Sequence, residues 1–87
     1  MPLVRKKITV KNKQGLHARP AALFVQIANK YDARITLRRG AEEVNGKSIM
    51  GILMLGAEKG SVITVEADGH DAHVAVVELE KIIAAEE

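Results

Sequence analysis

The chain is expected to fold as one α+β domain, a single antiparallel sheet of four strands with three helices on one face. Two observations lead there. Segments of period-two apolar alternation are interleaved with segments of helical period, in the order β-α-β-β-α-β-α. Each helical segment has one apolar stripe, which one face of a sheet can cover. With 87 residues the whole of 1–87 is read as one domain around one core.

The first strand signal is Val4 to Val10, with Val4, Ile8 and Val10 on one parity and Arg5, Lys7 and Thr9 on the other; Lys6 interrupts the apolar side. Asn12-Lys13-Gln14-Gly15 is a polar turn. From about Ala18 to Asn29, Ala21, Phe24, Ile27 and Ala28 recur at helical spacing, and Tyr31 continues the stripe. Pro20 falls in the first turn, where a missing amide hydrogen costs nothing. Ala33 to Arg39 alternates as a second strand, closed by Gly40, and Glu42 to Asn45 is a short partner for it in a hairpin. Ser48 opens a short helix from Ile49 to about Leu55, with Ile52 and Leu55 inward. Ser61 to Asp68 is the clearest strand, and Asp71 is placed to cap a last helix whose Ala72, Ala75, Val76, Leu79, Ile82 and Ile83 form one stripe.

Composition narrows the function. Apolar residues make up 47% and charged residues 28%, a globular mixture rather than a disordered one. No cysteine is present, which removes disulfides, thiolate catalysis and sulfur-ligated metals. Met1 to Lys7 has no apolar stretch of the secretory kind, and no apolar run approaches the roughly 18 residues of a membrane span. A cytoplasmic protein without membrane insertion is expected. Net charge is +2, but ten of the 13 Lys and Arg precede residue 42 and ten of the 11 Asp and Glu lie from Glu42 onward, so one surface should be basic.

The chemistry concentrates in Gly15-Leu16-His17-Ala18-Arg19-Pro20. A histidine between a glycine turn and a helix beginning at Ala18 has its imidazole beside the unpaired amides of the first turn. That end of a helix disfavours positive charge on the ring and favours negative charge on a phosphoryl group attached to it, with Ala18 and Arg19 as phosphate-binding positions. Arg19 adds charge-assisted hydrogen bonds to phosphate oxygens. An isolated histidine at a helix start is ordinarily structural; nucleophile, helix end, guanidinium and rigid turn together point to phosphoryl chemistry.

Gly15 to Pro20 resembles the active-site signature of the HPr family, the histidine-containing phosphocarriers of the bacterial phosphoenolpyruvate-dependent sugar phosphotransferase system. A second motif, Asn45-Gly46-Lys47-Ser48-Ile49-Met50-Gly51, resembles the same family, and the likeness spans nearly the whole chain. The resemblance implies an open-faced β-sandwich and a carrier rather than an enzyme, without cofactor or metal. His17 would take a phosphoryl group on Nδ1 from phosphorylated Enzyme I and pass it to the A component of a sugar permease, with Arg19 as the active-site arginine. It also implies that Ser48 is the site modified by an HPr kinase/phosphorylase. Ala22, Leu23, Ile49, Met50 and Leu53 match positions that meet partners. Met54 stands where many sugar-system members have a small polar residue, and nitrogen-related paralogues also have apolar residues there. A monomer is expected, its apolar patch ringed by Arg19, Lys47 and the charges of Arg5 to Lys7.

Other classes are weaker. A small RNA-binding module shares the element order, yet Phe24 and Tyr31 are the only aromatics, and there is no stacking motif and no Gly-x-x-Gly loop; no nucleic-acid partner is expected. His70 and His73, three apart, lack a clear third metal ligand and read as solvated or capping side chains. A purely regulatory relative that binds a transcription regulator through phosphorylated Ser48 is the third alternative, against which His17 is retained.

Overall fold

The computed structural model describes residues 2–86. Its elements are β1 (Leu3–Thr9), α1 (Ala18–Ala28), β2 (Arg34–Arg39), β3 (Glu42–Asn45), α2 (Ile49–Met54), β4 (Val62–Asp68) and α3 (Ala72–Ile83), in the expected β-α-β-β-α-β-α order. The four strands form one antiparallel sheet in the order β1-β4-β2-β3. β4 lies between β1 and β2, with Lys6 opposite Val65 on one side and Leu37 opposite Val65 on the other.

Alternation decides which face is covered. Ile8 of β1, Ile35 and Leu37 of β2, and Ile63, Val65 and Ala67 of β4 are all buried on one face. Onto them pack Ala21, Phe24 and Ala28 of α1, Ile52 of α2, and Ala72, Ala75, Val76, Leu79, Ile82 and Ile83 of α3. Phe24 is the one aromatic in this cluster of buried residues, and its burial stabilises the fold by about 2–3 kcal/mol. Among the described residues no helix is long and apolar enough to cross a membrane.

The other face is polar. Arg5 Nε lies 2.7 Å from Glu66 Oε2 and Arg38 Nη2 lies 2.8 Å from Glu43 Oε1. Such solvated pairs contribute roughly 0–1 kcal/mol each. Charges also mark both edges, Arg5 to Lys7 on β1 and Glu42 and Glu43 on β3, which discourages pairing with a further strand.

Three details differ from the sequence reading. Lys6, which breaks the apolar parity of β1, reaches past the core margin to α3, where its Nζ donates to Glu80 Oε1 at 2.8 Å. An edge position lets a long cation leave the core this way. The α1 stripe does not extend to Tyr31: Asn29 caps α1, and Tyr31 lies in the following loop with its hydroxyl donating to the Glu78 carboxylate of α3. That bond raises the Tyr31 hydroxyl above its usual value and holds the Glu78 carboxyl below its own. Asp71 precedes α3 but its side chain does not cap it. Its carboxylate instead accepts from the amides of Asp32 at 2.8 Å and Ala33 at 3.0 Å, in the chain entering β2, so these amides take the oxygens that a cap would use. The Asp71 backbone, at φ −106° and ψ 19°, is outside the extended region usual for a capping residue.

Candidate functional site

The loop before α1 is fixed from beneath. Gly15 donates to the Asn12 carbonyl at 3.0 Å and Leu16 donates to the Ala57 carbonyl at 2.9 Å. Gly15 has φ +74°, and a Cβ there would lie 2.3 Å from the Ala57 oxygen. Only glycine suits this position, both for its left-handed backbone and for the close approach. Leu16 is buried next to it. Asn12 is buried as well, with Nδ2 donating to the Ile82 carbonyl of α3 at 3.4 Å.

His17 follows at the N-cap of α1, extended at φ −85° and ψ −169°, half-buried, and its side chain makes no capping hydrogen bond. Its own amide bonds to the Gly15 carbonyl at 2.9 Å, and its carbonyl accepts from Ala21. Of the four amide positions at the start of a helix, Pro20 has no hydrogen and His17 is engaged. The amides of Ala18 and Arg19 are left without an acceptor one turn back. Both residues are exposed. His17 thus stands at the positive end of a helix of 11 residues, whose Ala18 and Arg19 amides have no acceptor within the helix.

His17 and Arg19 line an open depression of about 530 Å³ with Lys13, Gln14 and Lys81, over a floor that includes Pro20, Leu23, Ile82 and Ala85. Among the described residues no carboxylate lines it, and Lys13, Arg19 and Lys81 make this lining electropositive. Lys13, Gln14 and Lys81 are contributions the sequence reading missed. Lys81 was signalled only by its place in the last turn of α3, and strand order is what brings that turn beside the loop.

Ser48 is the N-cap of α2, its Oγ accepting from the Gly51 amide at 3.0 Å. At the other end of α2, Arg39 Nη1 donates to the carbonyls of Leu55 at 2.8 Å and Gly56 at 3.2 Å. A guanidinium from β2 therefore satisfies carbonyls that the end of the helix leaves open, a role without a local signal in the residues around Arg39. Ile49, Met50 and Leu53 are exposed on α2 and Leu23 on α1, while Ala22 is half-buried; α1 and α2 pack against each other.

The expected ring of charge around this apolar area is not formed as read. Arg5 to Lys7 lie on β1, at the edge opposite β3, whereas α2 contacts β3. Arg5 pairs with Glu66 and Lys6 with Glu80. Lys47 Nζ turns back to the Tyr31 carbonyl at 2.7 Å. His70 and His73 also part company: His70 Nε2 lies 3.2 Å from Asp32 Oδ2, with Asp71 beside them, and His73 is outside this group.

The chain matches the family model described as the phosphotransferase-system HPr component phosphorylation site over residues 4–85. It is 44% identical to the phosphocarrier protein HPr of Xylella fastidiosa, over 92% of this chain and 90% of that one. It is also 44% identical to the HPr-like protein Crh of Halalkalibacterium halodurans, over 97% of this chain and 100% of that one. The crystal structure of a phosphocarrier protein HPr from Bacillus anthracis superposes with a TM-score of 0.90 at 44% identity, covering 95% of this chain and 99% of that chain. The chain belongs to the HPr family of the phosphotransferase system.

Proposed function

We propose that this chain is a phosphocarrier that accepts a phosphoryl group on Nδ1 of His17 from phosphorylated Enzyme I and donates it to the A component of a sugar permease. The observation that carries the reading is His17 at the N-terminus of α1, without a side-chain capping bond, next in sequence to two amides with no acceptor within the helix and lining an electropositive depression. Transfer between two histidines asks little of the carrier beyond a positioned nucleophile and stabilisation of charge. In the donor complex the imidazole nitrogen attacks phosphorus as the bond to the donor's nitrogen breaks. The amides of Ala18 and Arg19 and the Arg19 guanidinium take the phosphoryl oxygens.

Ala22, Leu23, Ile49, Met50 and Leu53 serve as the docking surface, and the protein acts as a cytoplasmic monomer of one domain, with no metal or cofactor of its own. Phosphorylation of Ser48 by a dedicated kinase would place roughly −1.5 to −2 charges at the start of α2. That charge suits the helix end but repels an acidic partner surface, so transfer to His17 slows.

Incubation with Enzyme I and phosphoenolpyruvate, read by intact mass, tests the proposal. Wild type gains one acid-labile phosphoryl group, and His17→Ala gains none; an equal gain in both sinks the assignment.

A further inference from the structure

The short helix α2 holds chemistry that phosphoryl transfer does not use. The chain has no cysteine and three methionines, so thioether sulfur is the only sulfur an oxidant meets. Met1 lies outside the described residues. The other two, Met50 and Met54, are four residues apart on α2 and are among its most exposed side chains, at 67% and 72%. Residues at that spacing share one helix face. Neither belongs to the buried core, in which α2 is represented by Ile52. Their neighbours Ile49 and Leu53 are exposed too, so the pair belongs to an exposed apolar stretch of α2.

We propose that Met50 and Met54 are a reversible oxidation site for hydrogen peroxide, and that their sulfoxides switch off docking at α2. This rests on the carrier reading above for the docking surface alone. In each reaction the peroxide O–O bond breaks, one oxygen joins sulfur as a sulfoxide, and the other leaves as water; sulfur is oxidised and peroxide is reduced. Methionine sulfoxide reductases reverse the change. The product is a polar, strongly hydrogen-bond-accepting group in place of an adaptable apolar one. A partner that covers it dry loses about tenfold in affinity for an unpaired polar group. Because both side chains point to solvent, the fold tolerates the oxygen, and the effect falls on association and not on stability.

The test uses the full chain with and without peroxide, and the Met50→Leu/Met54→Leu double variant, which keeps Met1 but removes both sulfurs, each protein read against its own untreated KM. Peptide mapping is expected to locate one added oxygen on each of Met50 and Met54, with the melting temperature unchanged. The KM for phosphorylation by Enzyme I should rise about tenfold with kcat held, treatment with the two reductases should restore it, and the double variant should be indifferent to peroxide. No sulfoxide at either residue, under conditions that oxidise a free methionine peptide, overturns the site. Both sulfoxides present at an unchanged KM overturns the switch. An untreated sample that takes no phosphate defeats the carrier reading, and the docking half of the proposal with it, while the mass map still judges the oxidation site.

Discussion

Replacing Gly15 by alanine strikes two features of the loop that presents His17. A non-glycine residue at φ +74° costs roughly 1–2 kcal/mol for the left-handed backbone. The new Cβ would also lie 2.3 Å from the Ala57 oxygen, which accepts the Leu16 amide, and relieving such an overlap costs roughly a further 1–3 kcal/mol. A sum of about 3 kcal/mol lowers the melting temperature of a domain this size by about 12–24 °C. Gly40 gives the comparison, because it has φ +60° but nothing within 4 Å of its notional Cβ. Gly40→Ala should therefore lose the backbone contribution alone. Thermal melts of both variants, followed by circular dichroism, isolate the close approach, and the rate of phosphorylation by Enzyme I reports whether His17 has moved. A Gly15→Ala protein no less stable than Gly40→Ala would refute the argument that the loop is held by its packing on Ala57.

Three further outcomes follow from other parts of the molecule. Ser48→Ala removes the acceptor for the Gly51 amide and should cost about 1 kcal/mol, read as a fall of about 4–8 °C in melting temperature, whereas Ser48→Asp keeps a cap and should instead slow phosphorylation of His17. Burial would raise the Asp71 carboxyl, but the amides of Asp32 and Ala33, helped by His70, hold it below its ordinary value. A carboxyl depressed in the folded state stabilises fully above its unfolded pKa and loses that contribution as pH falls through the folded one. Asp71→Asn should accordingly be less stable at neutral pH and show a shallower loss of stability on acidification, seen in urea titrations across the acid range. Replacing Arg39 by methionine removes the donor to the Leu55 and Gly56 carbonyls and should speed amide exchange in α2 with little effect at α1; uniform exchange changes would contradict the local role given to it.

Much of the fold was legible in the residues because alternation and helical spacing are local. Ser61 to Asp68 and Ala72 to Ile83 were read within a residue, since their apolar periods are unbroken. The signature at His17 was equally plain, because glycine turn, histidine and first-turn proline are adjacent in sequence. What could not be read is what strand order creates. Lys6 looked like a flaw in β1 until Glu80 of α3 came within reach. Sequence alone sets the charges of Arg5 to Lys7 around the α2 surface, yet β1 and β3 form opposite edges of the sheet. Asp71 had the residue type and position of a cap, but two amides from the α1–β2 loop compete for its carboxylate and win. Lys81 is 64 positions beyond His17 in sequence and shares its depression.

The central claim is that one ring nitrogen of His17 carries the phosphoryl group between proteins. Nitrogen-15 NMR of the imidazole-labelled chain, recorded after treatment with Enzyme I and phosphoenolpyruvate, tests it most directly. A phosphorus–nitrogen coupling at Nδ1 of His17 that disappears on adding a permease A component is the expected result. A coupling at His70 or His73, or a phosphoryl group on His17 that no A component removes, would contradict it.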